Sequence, residues 1–381
     1  MNTFYKLNKF ILGAFLFGIA ASASANNYIF TDLGIKDAYG EAHAINNLGQ
    51  VVGYSTSTVK GFQSAVLWNG TTRTYLNDLA GSYSYSRAYG INNSGQIVGD
   101  SSNEQSIIRS TQWSGNSIKD LGEYSNAYID ASYSYASAIN DKGQIAGTTR
   151  VTFDEYHATL WSGNTSVDLG TLGGTTSFAK GINDAGQVVG YSRITDDYTN
   201  HATLWNGTTA IDLGSLGGYR APSNAFAINN LSQIVGGSST SEGVFHAALW
   251  SNGEISDLGE LGGGYSEAVA INNVGQIVGS SLTSDSQHHA TLWNGTSIID
   301  LNSLLDSSII NAGWVLYNAN DINDFGWIIG SAQNSITGAS TSYLLSLVPV
   351  PEPESYAMIL LGLSFIVGLS RRKKAKNLCF N

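Results

Sequence analysis

The chain has 381 residues, 44 of them glycine, with 29 acidic against 18 basic side chains and a formal net charge of −11. No Lys or Arg occurs from Ala221 to Ser370, which excludes a nucleic-acid surface, because such a surface needs clustered positive charge to displace counterions. The one cysteine, Cys379, lies close to the C-terminus, so an exported core has no disulfide to form and is held by packing alone.

At the N-terminus, Lys6 and Lys9 precede an apolar stretch from Phe10 to Ala20, and small residues continue to Ala25. This is the layout of a secretory signal peptide over residues 1–25, removed at an A-x-A site by the export machinery. The apolar run is shorter than the roughly 20 residues that cross a bilayer, which disfavours a retained anchor.

From there to residue 348 the chain repeats one pattern, Ala-x-x-Ile-Asn, a turn, and Gly in a short apolar run. The isoleucines are Ile45, Ile91, Ile139, Ile182, Ile228, Ile271 and Ile322, spaced by 46, 48, 43, 46, 43 and 51 residues. Seven such repeats use up residues 26–348 and leave no room for a second domain. That core holds 11 of the basic and 27 of the acidic residues, a net charge of about −16. The repeat from Phe178 contains four short apolar runs bounded by Gly, Asn, Asp or Ser, which read as four strands. Asn183-Asp184-Ala185-Gly186 joins the first pair and Asn206-Gly207 the second, both hairpin signals.

An Asp-Leu run marks strand four at Asp32, Asp78, Asp120, Asp168, Asp212, Asp257 and Asp300. One copy therefore precedes the first Ile-Asn, and none follows the last. A ring closed by its N-terminal strand requires that offset, whereas an open solenoid would need capping repeats. The expected fold is an all-β, seven-bladed propeller of four-stranded antiparallel blades, with Tyr28 to Leu33 completing the last blade. Ala42 and its six equivalents are expected where inner strands crowd the axis, and Gly53 and its equivalents at close backbone approaches. Trp68, Trp113, Trp161, Trp205, Trp250 and Trp293 end strand three and are expected to pack between blades, burying roughly 200 Å² each.

The strand-three sequence His-Ala-Thr-Leu-Trp, followed by Asp-Leu-Gly, resembles the HAF-repeat family of extracellular proteins, named for His-Ala-Phe. The resemblance runs from Tyr28 to about Leu347 and is carried by His157, His201, His246 and His289 with the alanines that follow them. Thr159, Thr203, Ala248 and Thr291 stand where the family has Phe, and Ser64 and Ser110 where it has His.

The last segment, residues 349–381, has Pro351, Glu352 and Pro353, then an apolar run from Tyr356 to Leu369, then Arg371, Arg372, Lys373 and Lys374. This resembles the PEP-CTERM sorting signal of Gram-negative bacteria that make extracellular polysaccharide. Extended prolines, an apolar helix and a basic end kept in the cytoplasm suit a transient membrane anchor. The resemblance implies an exosortase as partner, removal of the tail, and delivery to the cell surface or extracellular matrix.

Candidate chemistry is sparse. Four His at blade spacing stand too far apart to share an ion, so a structural hydrogen bond in each blade is the expectation, with the Asp-Leu-Gly aspartate as a turn residue. Asp154, Glu155, Asp197, Glu242 and Asp285 precede strand three and could hold Ca²⁺ with backbone oxygens, but no D-x-D-x-D-G loop accompanies them, and solvated loop acids are expected instead. The position two before each Ile varies (His43, Tyr89, Ser137, Lys180, Phe226, Val269, Asn320) and is expected near the channel mouth. No nucleophile, paired carboxylates or phosphate loop appears, so no residue is nominated as catalytic and no cofactor is expected. The long connections, strand two to three and strand four to the next blade, share one face and carry Tyr83, Tyr85, Tyr124, Tyr128, Tyr133, Tyr135, Tyr219 and Tyr265. Tyr83, Tyr85, Tyr133 and Tyr135 are the candidate ligand contacts of a monomeric binding or structural module for polysaccharide or another surface component. The alternative is an extracellular glycan-active hydrolase or lyase on the same scaffold.

Overall fold

A computed structural model describes residues 28–347, apart from 35–39, 57–60, 81–84, 123–132 and 196–198. The signal-peptide segment, the sorting segment with Pro351, Glu352, Pro353, Arg371 and Arg372, and Tyr83, Tyr124, Tyr128 and Asp197 lie outside the described residues. Among the described residues no helix is long and apolar enough to cross a membrane.

Seven four-stranded antiparallel sheets form a closed seven-bladed propeller. In the first blade the strands are Gly40–Ile45, Gln50–Thr56, Gln63–Asn69 and Thr72–Tyr75, and blades two to six repeat this order. The seventh takes Trp314–Ile322, Ile328–Asn334 and Ser340–Leu347 from the end of the repeat region and Tyr28–Asp32 from its start. Tyr28 pairs with Leu347, Phe30 with Leu345 and Asp32 with Tyr343, so the N-terminal strand closes the ring as its spare Asp-Leu run requires.

Blades one to six each bury a strand-three tryptophan against the blade before. Trp68 packs on Ile329, Leu344 and Leu33 of the last blade, Trp113 on Val52 and Leu76 of the first, and Trp205 on Ala146 and Leu169 of the third. All six are at most 4% exposed. Leu345 takes the seventh tryptophan's place, opposite Ile328 where Ile97 faces Trp113.

At the axis, strand one of every blade breaks register at the same place, between Ala42 and Ala44, Ala88 and Gly90, and so on to Ala319 and Asp321. Such a bulge places two residues opposite one and swings the extra side chain out of the ladder. It also drives a carbonyl onto the facing strand: a Cβ at Gly53 would collide with the Glu41 carbonyl, and one at Gly190 with that of Phe178. The repeated glycine is thus the partner of the bulge. The repeated alanines are not at the axis, as expected from sequence, but buried between blades; Ala42 lies in the cluster around Trp68. The crowded axial position is the one before each isoleucine, where Ala44, Gly90, Ala138, Gly181, Ala227 and Ala270 line the channel and Asp321 is the exception.

The asparagine after each isoleucine ties the ring together. The carboxamide of Asn46 donates to the carbonyl of Asn92, Asn92 to Asn140, Asn140 to Asn183, Asn183 to Asn229, Asn229 to Asn272, Asn272 to Asn323, and Asn323 back to Asn46, at 2.9–3.2 Å. Each side-chain oxygen meanwhile accepts from backbone N–H groups two and four residues on, as at Leu48 and Gln50, which fixes the turn. The following residues form a second closed ring, in which the N–H of Asn47 donates to Asn93 and so on round to Asp324, which donates to Asn47.

Two local expectations need correction. Asp78 is not the strand-four aspartate: Tyr75 faces Val66 where Asp120 faces Thr111, and Leu76 N–H bonds the Ala65 carbonyl as Leu121 bonds Ser110. The first blade's Asp-Leu run comes three residues late, and Asp78 accepts from the Ser86 hydroxyl instead. In the second hairpin of blade four, Asn206 pairs with Thr209, so the turn pair is Gly207-Thr208, with Gly207 in the left-handed region at φ 61°.

Deleting Tyr28 to Leu33 uncovers the Ser340–Leu347 edge and strips Leu33 from the Trp68 cluster. The truncated protein is expected to melt well below the full chain and to associate through that edge. Melting curves and size-exclusion chromatography check this; a monomer of unchanged stability would contradict closure by the N-terminal strand.

Candidate functional site

The seven bulged residues point into one funnel on the long-loop face. His43, Tyr89, Ser137, Lys180, Phe226, Val269 and Asn320 line a cavity of about 270 Å³ above the isoleucine ring, and all of these but Asn320 line, with Tyr135, a wider part of about 400 Å³. Below the isoleucines, a second cavity of about 210 Å³ opens on the short-turn face, walled by the two Asn and Asn/Asp rings. The sequence places variety at these seven positions, and the bulge is the reason they converge: it aims a side chain that the ladder does not constrain.

Around the funnel mouth the aromatic residues gather at blade interfaces. Arg87, on strand one of blade two, lies between the rings of Tyr54 and Tyr85 at 4.6 and 4.8 Å, and its Nη2 donates to Gln63 of blade one at 2.6 Å. His43 packs against Tyr54 and Tyr89, with ring centroids 5.5 and 5.1 Å apart. On the next blades Arg150 stands over Tyr133 at 5.7 Å and Phe153 at 4.7 Å, Tyr156 stacks on Phe178, and Phe178 meets Tyr191. Of the four tyrosines expected as ligand contacts, Tyr135 lines the funnel, Tyr85 and Tyr133 stand beside it under an arginine, and Tyr83 lies outside the described residues. Tyr219 is exposed and edge-on to His201, and Tyr265 lies between Phe245 and His288. Tyr54, Arg87, Arg150, Tyr156 and Tyr191 belong to the same surface but escaped sequence reasoning. The signal was present for Tyr54 and Tyr191, each the residue after a strand-two glycine.

Burial sets the charges here. It drives His43 down to about 4, with the Arg87 charge adding to the effect, so its ring is neutral and its Nε2 has no hydrogen-bond partner. It raises Asp100 to about 7 although Arg87 opposes the shift, raises Tyr89 to about 12, and lowers Lys180. Asp321 accepts from the N–H groups of Ile45 and Ile322, yet burial still lifts it to about 7.

The repeated histidines have a different place. His157, His201, His246 and His289 each put Nδ1 within 2.7–2.9 Å of the strand-four aspartate of their own blade, Asp168, Asp212, Asp257 and Asp300. The same aspartates accept from the N–H two residues on, as Gly170 and Gly214 show. Burial alone would raise the Asp168 carboxyl; the bonds from His157 and Gly170 hold it below the usual range. In blade two, where Ser110 replaces His, the neighbouring Arg109 pairs with Asp120 at 3.1 Å. The loop acids expected as solvated are open to solvent at Asp154, Glu242 and Asp285. Among the described residues no group of three or more His, Cys, Asp or Glu is placed to hold a metal ion.

Comparison with known proteins adds two findings. Residues 349–374 match the PEP-CTERM protein-sorting motif, which marks an exported protein with a C-terminal sorting signal. No curated protein matches the chain in sequence. Among solved structures, a Mycobacterium tuberculosis puromycin-hydrolyzing peptidase is similar at 10% identity and a TM-score of 0.52, over 84% of this chain; this chain spans 56% of that one. SapL1 lectin, solved with alpha methyl fucoside, is similar at 15% identity over 71% of this chain and 97% of its own, with a TM-score of 0.41. The first likeness is one of fold alone.

The Asp100 carboxyl gives a pH prediction. Its folded value, about 7, exceeds the ordinary 3.8, so between these the native state holds a proton that the unfolded chain has lost. Its contribution to stability is full below about pH 4 and falls as pH rises through about 7. Stability by urea unfolding should therefore drop from about pH 4.5 to 7.5, and Asp100→Asn should make the drop smaller. An unchanged slope would place the neutral carboxyl elsewhere.

Proposed function

We propose that this protein is an exported binding module delivered to the surface or extracellular matrix of a Gram-negative bacterium, where the long-loop funnel takes up extracellular polysaccharide. In this reading residues 1–25 are removed on export, an exosortase removes the tail within 349–381, and the mature core is the propeller of residues 26–348. In the same reading that core is a HAF-repeat protein, a reading supported by the strand-three pattern of His157, His201, His246 and His289.

One observation carries the binding reading: seven bulges send seven unlike side chains into a single funnel, beside a mouth built from Tyr54, Tyr85, Tyr89, Tyr133 and Tyr135. Aromatic faces offer sugar rings a large apolar contact at little entropic cost, while Ser137 supplies a hydroxyl and Asn320 an amide oxygen for sugar hydroxyls. Among the described residues the funnel contains no hydrogen-bonded nucleophile and base, since the one histidine there, His43, is neutral and unpartnered at Nε2.

Replacing Tyr85 and Tyr135 by serine tests this. Losing aromatic anchors from an interface costs about 2 kcal/mol or more each, so the variant should bind host polysaccharide at least tenfold more weakly while its melting curve shows a folded core. Retention equal to wild type in a matrix-binding assay would reject the funnel mouth as the binding surface.

The sorting reading is checked separately. Changing Pro351, Glu352 and Pro353 to alanine should leave an unprocessed, membrane-retained precursor in the native host, because the apolar segment and basic end remain. Immunoblots of membrane and surface fractions report the outcome; normal processing would refute the assignment of that motif.

A further inference from the structure

We propose that the funnel selects acidic sugars, with the ammonium of Lys180 as the charge partner of a uronate carboxylate whose ring lies against Tyr89 and Tyr135. This rests on the polysaccharide reading and names its ligand class.

Lys180 is the bulged residue of blade four and lines both the narrow and the wide part of the funnel. Its Nζ stands 5.7 Å from the centroid of the Tyr191 ring. Among the described residues it is the only cation in the funnel wall, and it forms no ion pair or hydrogen bond. Three of the acids around the funnel are committed elsewhere. Asp321 is capped by two backbone N–H groups, Glu41 accepts from the Asn320 amide, and Asp100 faces Arg87 across its own sheet. The arginines of the mouth are committed too: Nε and Nη2 of Arg87 donate to Gln63, and Arg150 donates to the carbonyls of Thr152 and Phe153. Burial lowers the Lys180 pKa, and no carboxylate offsets it.

An ammonium largely removed from water without a counter-charge destabilises the empty protein, and an anion that enters the funnel removes that penalty. The charge count favours a carboxylate over a phosphate. One ammonium balances a monoanion, whereas a dianion would leave a charge unpaired beside Phe226 and Val269. The cavity of about 400 Å³ falls in the range of small-molecule sites and admits a sugar ring.

The test is an array carrying glucuronate, galacturonate and mannuronate oligomers beside their uncharged methyl esters and neutral hexose oligomers, read with the purified protein. Wild type is expected to bind at least one acid about tenfold or more tighter than its ester, since a charge-assisted hydrogen bond is formed only with the acid. Lys180→Met should bind acid and ester alike, at the affinity wild type shows for the ester, and Lys180→Arg should keep the preference. Wild-type binding of acid and ester with equal affinity overturns the uronate assignment and leaves the polysaccharide reading standing. A preference that survives in Lys180→Met also overturns it. Binding of no oligomer on the array overturns both. Should Lys180→Met fail to fold, Lys180→Gln takes its place, with the wild-type comparison of acid and ester deciding on its own whether charge is read.

Discussion

Seven carboxamides, each donating to the carbonyl of the next blade and the last returning to the first, impose the strictest demand in this structure. Any one bond contributes only about 1 kcal/mol net, but a broken one strands a buried donor and a carbonyl on two blades at once. The chain of bonds closes only if the seven inner strands stand at equal height and equal tilt. That requirement carries outward: equal tilt sets the gap that each tryptophan fills, and that gap decides how closely strand two approaches strand one. Asparagine suits the position because one side chain does two jobs, closing its own turn through the oxygen and reaching the neighbour through the nitrogen.

The bulge beside this ring separates scaffold from chemistry. Alanine before it, a small residue after it and glycine across from it are dictated by packing and by the displaced carbonyl. The bulged residue itself is dictated by nothing in the blade. The same backbone therefore accepts histidine, tyrosine, serine, lysine, phenylalanine, valine and asparagine in turn, and their convergence in one funnel follows from ring geometry.

Much of the architecture could be read before any coordinates. The period, the displaced Asp-Leu run, the tryptophans and the turn residues report directly on contacts that recur seven times, and repetition separates signal from noise. The aspartate paired with each histidine lies at a constant eleven residues and was visible as a turn residue, though not as a partner. The bulge was hidden because it is a fact about register between two strands, which no single strand records. Without it, Ala42 looked axial and Lys180 looked like one variable residue among many. The tyrosines were found only where loops were rich in them; Tyr54 and Tyr156 join Arg87 and Arg150 through contacts across strands and blades that spacing along the chain does not encode. Asp78 misled for a simpler reason, since an Asp-Leu pair three residues late matches the motif and misses the ladder.

Closure by an N-terminal strand also fixes where the polypeptide enters and leaves the ring. Tyr28 begins the outermost strand of the last blade, directly opposite Leu347 at the end of the neighbouring strand, and Leu347 lies by Gly326 in a short turn. Both ends of the propeller therefore emerge side by side on the face opposite the funnel. A protein held at a membrane by either end would stand on its short turns with the funnel directed outward, so polarity at the cell surface is set by which strand completes the seventh blade.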